Sequence, residues 1–386
     1  MNPVEKLVQM GDVTRHEPAG DETVCPTTGV PPELLHCISR VVSPKNPHMP
    51  VLKAMTTTVC ERNCGYCALR RDRDARRITL SPDEMADGFH RLYRAGLVEG
   101  IFLSSGVLGN GVVAQDKIIA TAEILRQKLD FRGYIHLKIM PGAEYDQVAR
   151  TMALADRVSV NLEAPTPERL ERIAPGKGFT ANLLQRLQWI EEIRQHQGGR
   201  GPSSASQFVV GPAGESDVEL LQTTQFLHDR LGLKRVYFSA FDPIRQTPLE
   251  DTAPTPPIRQ HRLYQGAFLL RDYGFDVEEL EFRPDGNLTL EVDPKLAWAR
   301  QHLLDQPVEI NQGDRQALLR VPGIGPKGVD RILQERRRGT LRDLAELRKI
   351  GVVASRAAPF ITLNGRRPPF QHELWSPGAR SAATRR

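Results

Sequence analysis

A chain of 386 residues has room for two or three domains with proper cores, and its 40% apolar content is that of an ordinary globular protein. No stretch nears the ~18 unbroken apolar residues of a membrane span, and the start MNPVEKLVQMGDV lacks the apolar run of a secretory signal. Five cysteines, odd in number and spread over a long chain, argue against a disulfide framework and for a reducing, cytoplasmic setting.

Net charge is +5 but unevenly placed. From Asn311 onward there are sixteen Lys and Arg against six Asp and Glu, whereas the preceding residues carry thirty-six against forty-one. A mildly acidic body with a basic end suggests that the end meets a polyanion; a solvated basic face gives the same count.

In chain order, residues 1–49 read as an irregular leader with proline clusters at GVPPELL and SPKNPHMP. VLKAMTTT then reads as a strand running into a cysteine-rich loop. Ser81-Pro82-Asp83-Glu84 starts a helix: a capping hydroxyl, proline at the first position and acids in the first turn. VEGIFLSSG, GYIHLKIMPG, RVSVNLEAPT, SASQFVVGPAGES and KRVYFSAFDP follow as strands two to six, separated by helical patterns. Short apolar strands alternating with amphipathic helices imply parallel βαβ pairing, in an incomplete barrel or a doubly wound open sheet. After the break TAPTPPIRQ come a helix to about Tyr273, a connector over 283–312 containing DPKLAWARQHLL, a small all-helical end over 313–365 and a flexible basic tail over 366–386.

The loop TTTVCERNCGYCALRR holds Cys60, Cys64 and Cys67. Structural zinc wants four ligands, and only Cys25 and Cys37 remain to supply a fourth. Three thiolates on an iron–sulfur cluster leave one iron open, as a catalytic site needs. Zinc binding and three incidental thiols are the competing readings.

C-x3-C-x2-C with Tyr66 before the last cysteine resembles the radical S-adenosylmethionine (SAM) enzymes. The resemblance implies an incomplete (β/α)6 barrel over 50–282 and a [4Fe-4S] cluster on Cys60, Cys64 and Cys67. It also implies SAM on the open iron and an external electron donor, whose electron cleaves SAM to a 5′-deoxyadenosyl radical. Functional groups of parallel βα folds gather at the carboxyl ends of strands, so the likeness extends strand by strand. Ser104, Ser105 and Gly106 lie where the family often carries Gly-Gly-Glu, though the acid is missing. Lys138 is a charge inside an apolar strand and needs an anion, which SAM's carboxylate or a substrate phosphate would supply; an edge position or a structural salt bridge is the plainer reading. Ser159, Asn161 and Glu163 alternate with Val160 and Leu162 on one strand face. By analogy Ser159 or Asn161 meets the SAM ribose or carboxylate, and Glu163 is a ligand or pairs with Lys138. Gly211, Gly214 and Glu215 resemble an adenine-binding stretch, with the first glycine of that pattern absent.

LLRVPGIGPKGVDRIL resembles a helix-hairpin-helix module: Gly323-Ile324-Gly325 as the turn, Pro326 opening the second helix, Lys327 beside an amide-lined anion site. Leu318, Leu319, Val321, Ile324, Val329, Ile332 and Leu333 would pack it; Arg336, Arg337 and Arg338 add charge. LRKIGVVASRAAPFI looks like a second, degenerate hairpin. Such modules hold nucleic-acid phosphate without reading sequence, while a protein-docking helix pair is the plainer reading. The order of these segments resembles the radical SAM subgroup assigned to DNA modification or repair that ends in a helix-hairpin-helix. The expectation is therefore a DNA-directed radical SAM enzyme, with RNA as substrate or a non-catalytic cluster protein as alternatives. A helix-hairpin-helix glycosylase is rejected, because no cysteine follows Cys67. Cys25 and Cys37 remain as candidate thiol hydrogen donors, against the plain reading of small hydrophobes.

Overall fold

The computed structural model describes residues 1–14, 32–41, 46 and 48–370; Cys25 and most of the basic tail lie outside them. The chain divides into two compact units, Met1–Tyr264 with Pro284–Asn287, and Gln265–Arg283 with the described residues from Leu288 onward.

The first unit is built on a seven-stranded sheet in strictly sequential order: β1 Ile38–Val41, β2 Met49–Met55, β3 Gly100–Ser104, β4 Tyr134–Lys138, β5 Arg157–Ser159, β6 Ser203–Val210 and β7 Arg235–Ala240. β1 runs antiparallel to β2, and every later pair is parallel. A doubly wound sheet reverses its strand order at a switch point. This sheet never does and curls as a half-barrel, so the barrel reading holds. Helices α1 Pro3–Thr14, α2 Pro82–Arg94, α3 Gly111–Glu123, α4 Tyr145–Leu154, α5 Pro167–Ile173, α6 Gln185–His196, α7 Asp217–Leu231 and α8 Pro257–Tyr273 accompany it.

Local chemistry sets these starts. Ser81 caps α2, with Glu84 answering from the third position in a capping box, and Ser216 and Glu219 do the same for α7. Alternation then sorts the strand side chains. Leu52, Ala54, Ile101, Leu103, Ile135 and Leu137 bury against Met85, Phe89 and Ile118 of the first two βα helices, each leucine or isoleucine burial worth about 1.5–3 kcal/mol. The register aligns Lys53, Phe102, His136, Arg157 and Ser203 across the opposite face, a largely polar row.

The first unit and its boundary depart from expectation at three points. Among the described residues of the leader, α1 and β1 are formed, because Leu7, Met10 and Ile38 bury in the same core as Leu52. The fourth predicted strand shrinks to Arg157–Ser159; the chain stays hydrogen-bonded to β6 beyond it, but Glu163 enters the left-handed region at φ 67°, ending the period-two pattern. The compact units divide inside α8 and not near residue 282. Gly286 and Asn287 bond to Val218 and Asp217 in the first unit, while Phe275 stacks edge-on against Trp298 in the second.

The second unit holds α9 Pro294–His302, α10 Arg315–Arg320, α11 Pro326–Glu335, α12 Leu344–Lys349 and α13 Ala354–Ala357. It is not all helical: β8 Val308–Glu309 pairs in parallel with β9 Ile361–Thr362, tying the two ends of the helical stretch together. Leu318, Val321, Ile324, Val329 and Ile332 are buried as expected, Leu319 slightly less so and Leu333 partly. No helix among the described residues is long and apolar enough to cross a membrane.

Candidate metal centre

The cysteine loop leaves the carboxyl end of β2 and is pinned at once. Thr56 N–H donates to Ser104 O (2.9 Å), Thr58 N–H to Ile78 O (2.9 Å) and Glu61 N–H to Val107 O (2.7 Å). Arg77, which sequence reasoning missed, donates to four loop carbonyls: Thr58 and Leu69 through Nη1 (2.8 and 2.9 Å), Arg70 and Arg73 through Nη2 (2.7 and 3.1 Å). Nothing in the sequence marks it out among the five arginines from Arg70 to Arg77.

Cys60, Cys64 and Cys67 are free thiols, partly buried, with Cys60 and Cys67 packed against the main core. Burial pushes the Cys67 thiol up to about 12, with the Cys64 charge adding to it and the Leu69 N–H (3.4 Å from Sγ) opposing. Burial also raises Cys64, against the pull of Lys177. Three thiols influencing one another in a low-dielectric loop need a cationic centre to become thiolates together, and iron would supply it. Among the described residues, no three His, Cys, Asp or Glu side chains converge as a single metal ion requires; a cubane takes each thiolate on a separate iron. The donor set fits a cluster.

Tyr66 brings a second group to the loop. Its hydroxyl lies 3.4 Å from Lys177 Nζ, which donates to Glu163 Oε1 at 2.7 Å. Burial would pull the ammonium down; Glu163 and the thiols more than offset this, so Lys177 sits above the ordinary lysine value. Glu163 is 4% exposed, its second oxygen has no hydrogen-bond partner, and its ion pair is with Lys177. Lys177 was also missed. Its sequence signal is a lysine between two glycines, Gly176 and Gly178, in the turn after α5.

The remaining predicted positions fall into separate groups. Thr56 Oγ1 donates to Ser105 Oγ, and Ser105 Oγ to Gly106 O, both at 2.7 Å. Gly106 N–H reaches Thr57 O at 2.8 Å, and any Cβ on Gly106 would overlap Val59 O, so glycine is needed there. Ser104 is fully buried at the end of β3. Lys138 ends β4 beside Ser159, whose Oγ lies 2.9 Å from His136 Nε2; burial, then Arg157 and Lys138, keep His136 neutral. Asn161 donates to Gln207 Oε1 at 3.0 Å. Gly211 (φ 109°) and Gly214 (φ 68°) form a closed turn in which the Glu215 carboxylate accepts from Gly211 N–H, while Arg259 holds Glu215 O at 2.8 Å. Glu215 is raised by burial, and its second oxygen is unpartnered. Cys37 is 1% exposed and donates to Leu7 O at 3.2 Å, a packing position against α1.

In the second unit, α10 and α11 are joined by a turn in which Gly323 takes φ 83° and Gly325 caps α11. A Cβ on Gly323 would lie 2.5 Å from Val353 O, and Val353 N–H donates to Gly323 O at 3.0 Å. Lys327 and Arg337 are exposed. Arg336 is committed to Gly313 O (2.6 Å), and Arg338 pairs with Glu335 (3.1 Å). Behind the turn, Lys295 Nζ donates to Ile324 O at 2.6 Å and lies 4.5 Å from the Tyr273 ring centre, beside a cavity of about 330 Å³.

The first unit is thus a sequentially ordered βα half-barrel with a partly buried trithiol loop at the end of its first parallel strand. Residues 55–227 match the family model of the Radical SAM superfamily, and this stretch is a radical SAM domain. The cofactors of that family, a [4Fe-4S] cluster and SAM, are those of this domain, and its enzymes need an electron donor. Among solved structures, the chain is similar to the [FeFe]-hydrogenase maturase HydG of Carboxydothermus hydrogenoformans (16% identity, TM-score 0.45, 57% of this chain and 51% of that one). It is also similar to methylornithine synthase, PylB (14%, 0.46, 57% and 61%). A third likeness is to the radical SAM methyltransferase TsrM of Kitasatospora setae, with cobalamin and a [4Fe-4S] cluster bound (13%, 0.44, 84% and 67%). The chain thus spans about half to three fifths of the first two, and such values carry no inference about substrate. No curated protein matches it in sequence.

Proposed function

We propose that this chain is a radical SAM enzyme that modifies or repairs DNA, with Cys60, Cys64 and Cys67 holding the cluster. When bound, the cluster and SAM supply a strongly oxidising carbon radical that abstracts hydrogen. The chain's own residues do the rest. The Arg77 staple holds the loop, Ser104, Ser105 and Gly106 border it from β3, and the Glu163 carboxylate, paired with Lys177, faces the loop beside Tyr66. Lys138 and Ser159 end β4 and β5, Asn161 follows β5, and Gly211, Gly214 and Glu215 follow β6.

The observation that carries the nucleic-acid reading is the turn at Gly323–Gly325. Its glycine geometry, the α11 amino end and exposed Lys327 and Arg337 together suit a phosphate in a helix-hairpin-helix manner. Arg336 and Arg338 make other contacts in the described structure and contribute less. Two measurements test this. Anaerobic reconstitution with dithionite and SAM is expected to release 5′-deoxyadenosine, and no release under any reductant would refute the enzyme reading. Binding of duplex DNA and of RNA, compared at stated salt, is expected to favour DNA; tighter RNA binding would move the substrate class, and no binding of either would remove the nucleic-acid reading.

A further inference from the structure

Lys177 lies in the Gly176-Lys177-Gly178 turn after α5, where both glycines adopt the left-handed region (φ 72° and 58°). Three contacts strap this stretch onto the cysteine loop: Gly65 N–H to Ile173 O at 2.7 Å, Arg62 Nη1 to Gly176 O at 3.3 Å, and Lys177 Nζ to Tyr66 at 3.4 Å. Tyr66 stands between Cys64 and Cys67. The strap delivers a buried ammonium, only 9% exposed, to the hydroxyl of Tyr66. Burying an ion pair is costly, and an apolar residue of similar size would often do as well for stability. Glu163 adds to that cost with a left-handed backbone and an unpartnered buried oxygen. Placement of this pair against the cysteine loop points to a role in the electrostatics of the cluster that loop would hold.

We propose that Lys177 and Glu163 are positioning residues that set the reduction potential of the cluster, the ammonium raising it and the carboxylate lowering it. Reduction adds an electron, so a fixed positive charge in a poorly solvated site favours it and a negative one opposes it. The inference rests on the reading that Cys60, Cys64 and Cys67 hold a [4Fe-4S] cluster.

The test compares full-length, anaerobically reconstituted wild type with K177M, K177R, E163Q and the K177M/E163Q double variant. Each is titrated with dithionite, which supplies the one electron taking the cluster from 2+ to 1+, and followed by electron paramagnetic resonance and iron content. K177M is expected to lower the reduced-to-oxidised ratio at fixed potential about tenfold, about 59 mV for one electron. E163Q is expected to raise it, K177R to stay with wild type, and the double variant to return toward it. A strap with only a structural role would give shifts of one sign together with iron loss; that result, or unmoved potentials, overturns the proposal. If K177M cannot retain iron, E163Q against wild type decides, and anything but a rise is a refutation. Wild type that binds no iron brings down the cluster reading itself and this inference with it, an outcome distinct from an iron-bearing protein with an unmoved potential.

Discussion

Lys295 has a different electrostatic burden from Lys177. Burial pulls it down to about 7, the attraction of Asp293 being too weak to offset that and Arg356 and Arg320 adding to the fall. Its folded value therefore lies below that of an unfolded lysine, ~10.4. Between those values the unfolded chain binds more protons, so the stability of the second unit rises as pH climbs from about 7 toward ~10. Chemical denaturation at pH 6 to 9 checks this: the slope should be present in wild type and absent in K295M. A second prediction concerns the thiols. Single alanine substitution of Cys60, Cys64 or Cys67 should abolish most cluster absorbance and iron, whereas Cys37→Ala, which removes a thiol bonded to Leu7 O, should keep the iron and cost ~1–2 kcal/mol of stability.

The cysteine loop is an element without regular secondary structure, and its shape is held from outside. Arg77 satisfies four of its carbonyls, and hydrogen bonds to a charged donor are worth roughly 1.5–3 kcal/mol each before their mutual dependence is counted. Arg77→Ala should therefore lower iron occupancy after reconstitution while leaving far-ultraviolet circular dichroism unchanged; full iron retention would show that the thiol loop is self-supporting. The hairpin turn gives the parallel case. Gly323→Ala meets both a left-handed backbone and the Val353 carbonyl. The backbone alone costs roughly 1–2 kcal/mol, and the clash should also displace the turn from α13. Weaker DNA binding with an intact cluster is the expected readout.

For the whole molecule, two kinds of module on one chain make separable predictions. Lys327→Ala/Arg337→Ala should weaken nucleic-acid binding evenly across sequences and reduce the slope of log affinity against log salt by roughly one for each phosphate no longer neutralised, without changing SAM cleavage in the absence of nucleic acid. A change in that basal cleavage would show that the two substitutions act on the barrel.

Much of the architecture was legible because it is written at short range. The six parallel strands, the Ser81 cap, the three-thiol loop and the Gly323–Gly325 turn depend on residues within a few positions of one another, where periodicity and stereochemistry decide. The antiparallel β1 escaped because four residues carry too little pattern, and the short β5 because alternation alone does not report a left-handed residue at Glu163. The Arg77 staple, the polar row from Lys53 to Ser203 and the Tyr66–Lys177–Glu163 group were decided by the tertiary structure alone. Tyr66 and Lys177 stand 111 positions apart, and only the curl and register of the sheet bring the end of β5 and the strap after α5 to the same loop. The chemistry available at that loop was thus present in the sequence; the charges that surround it were a consequence of folding.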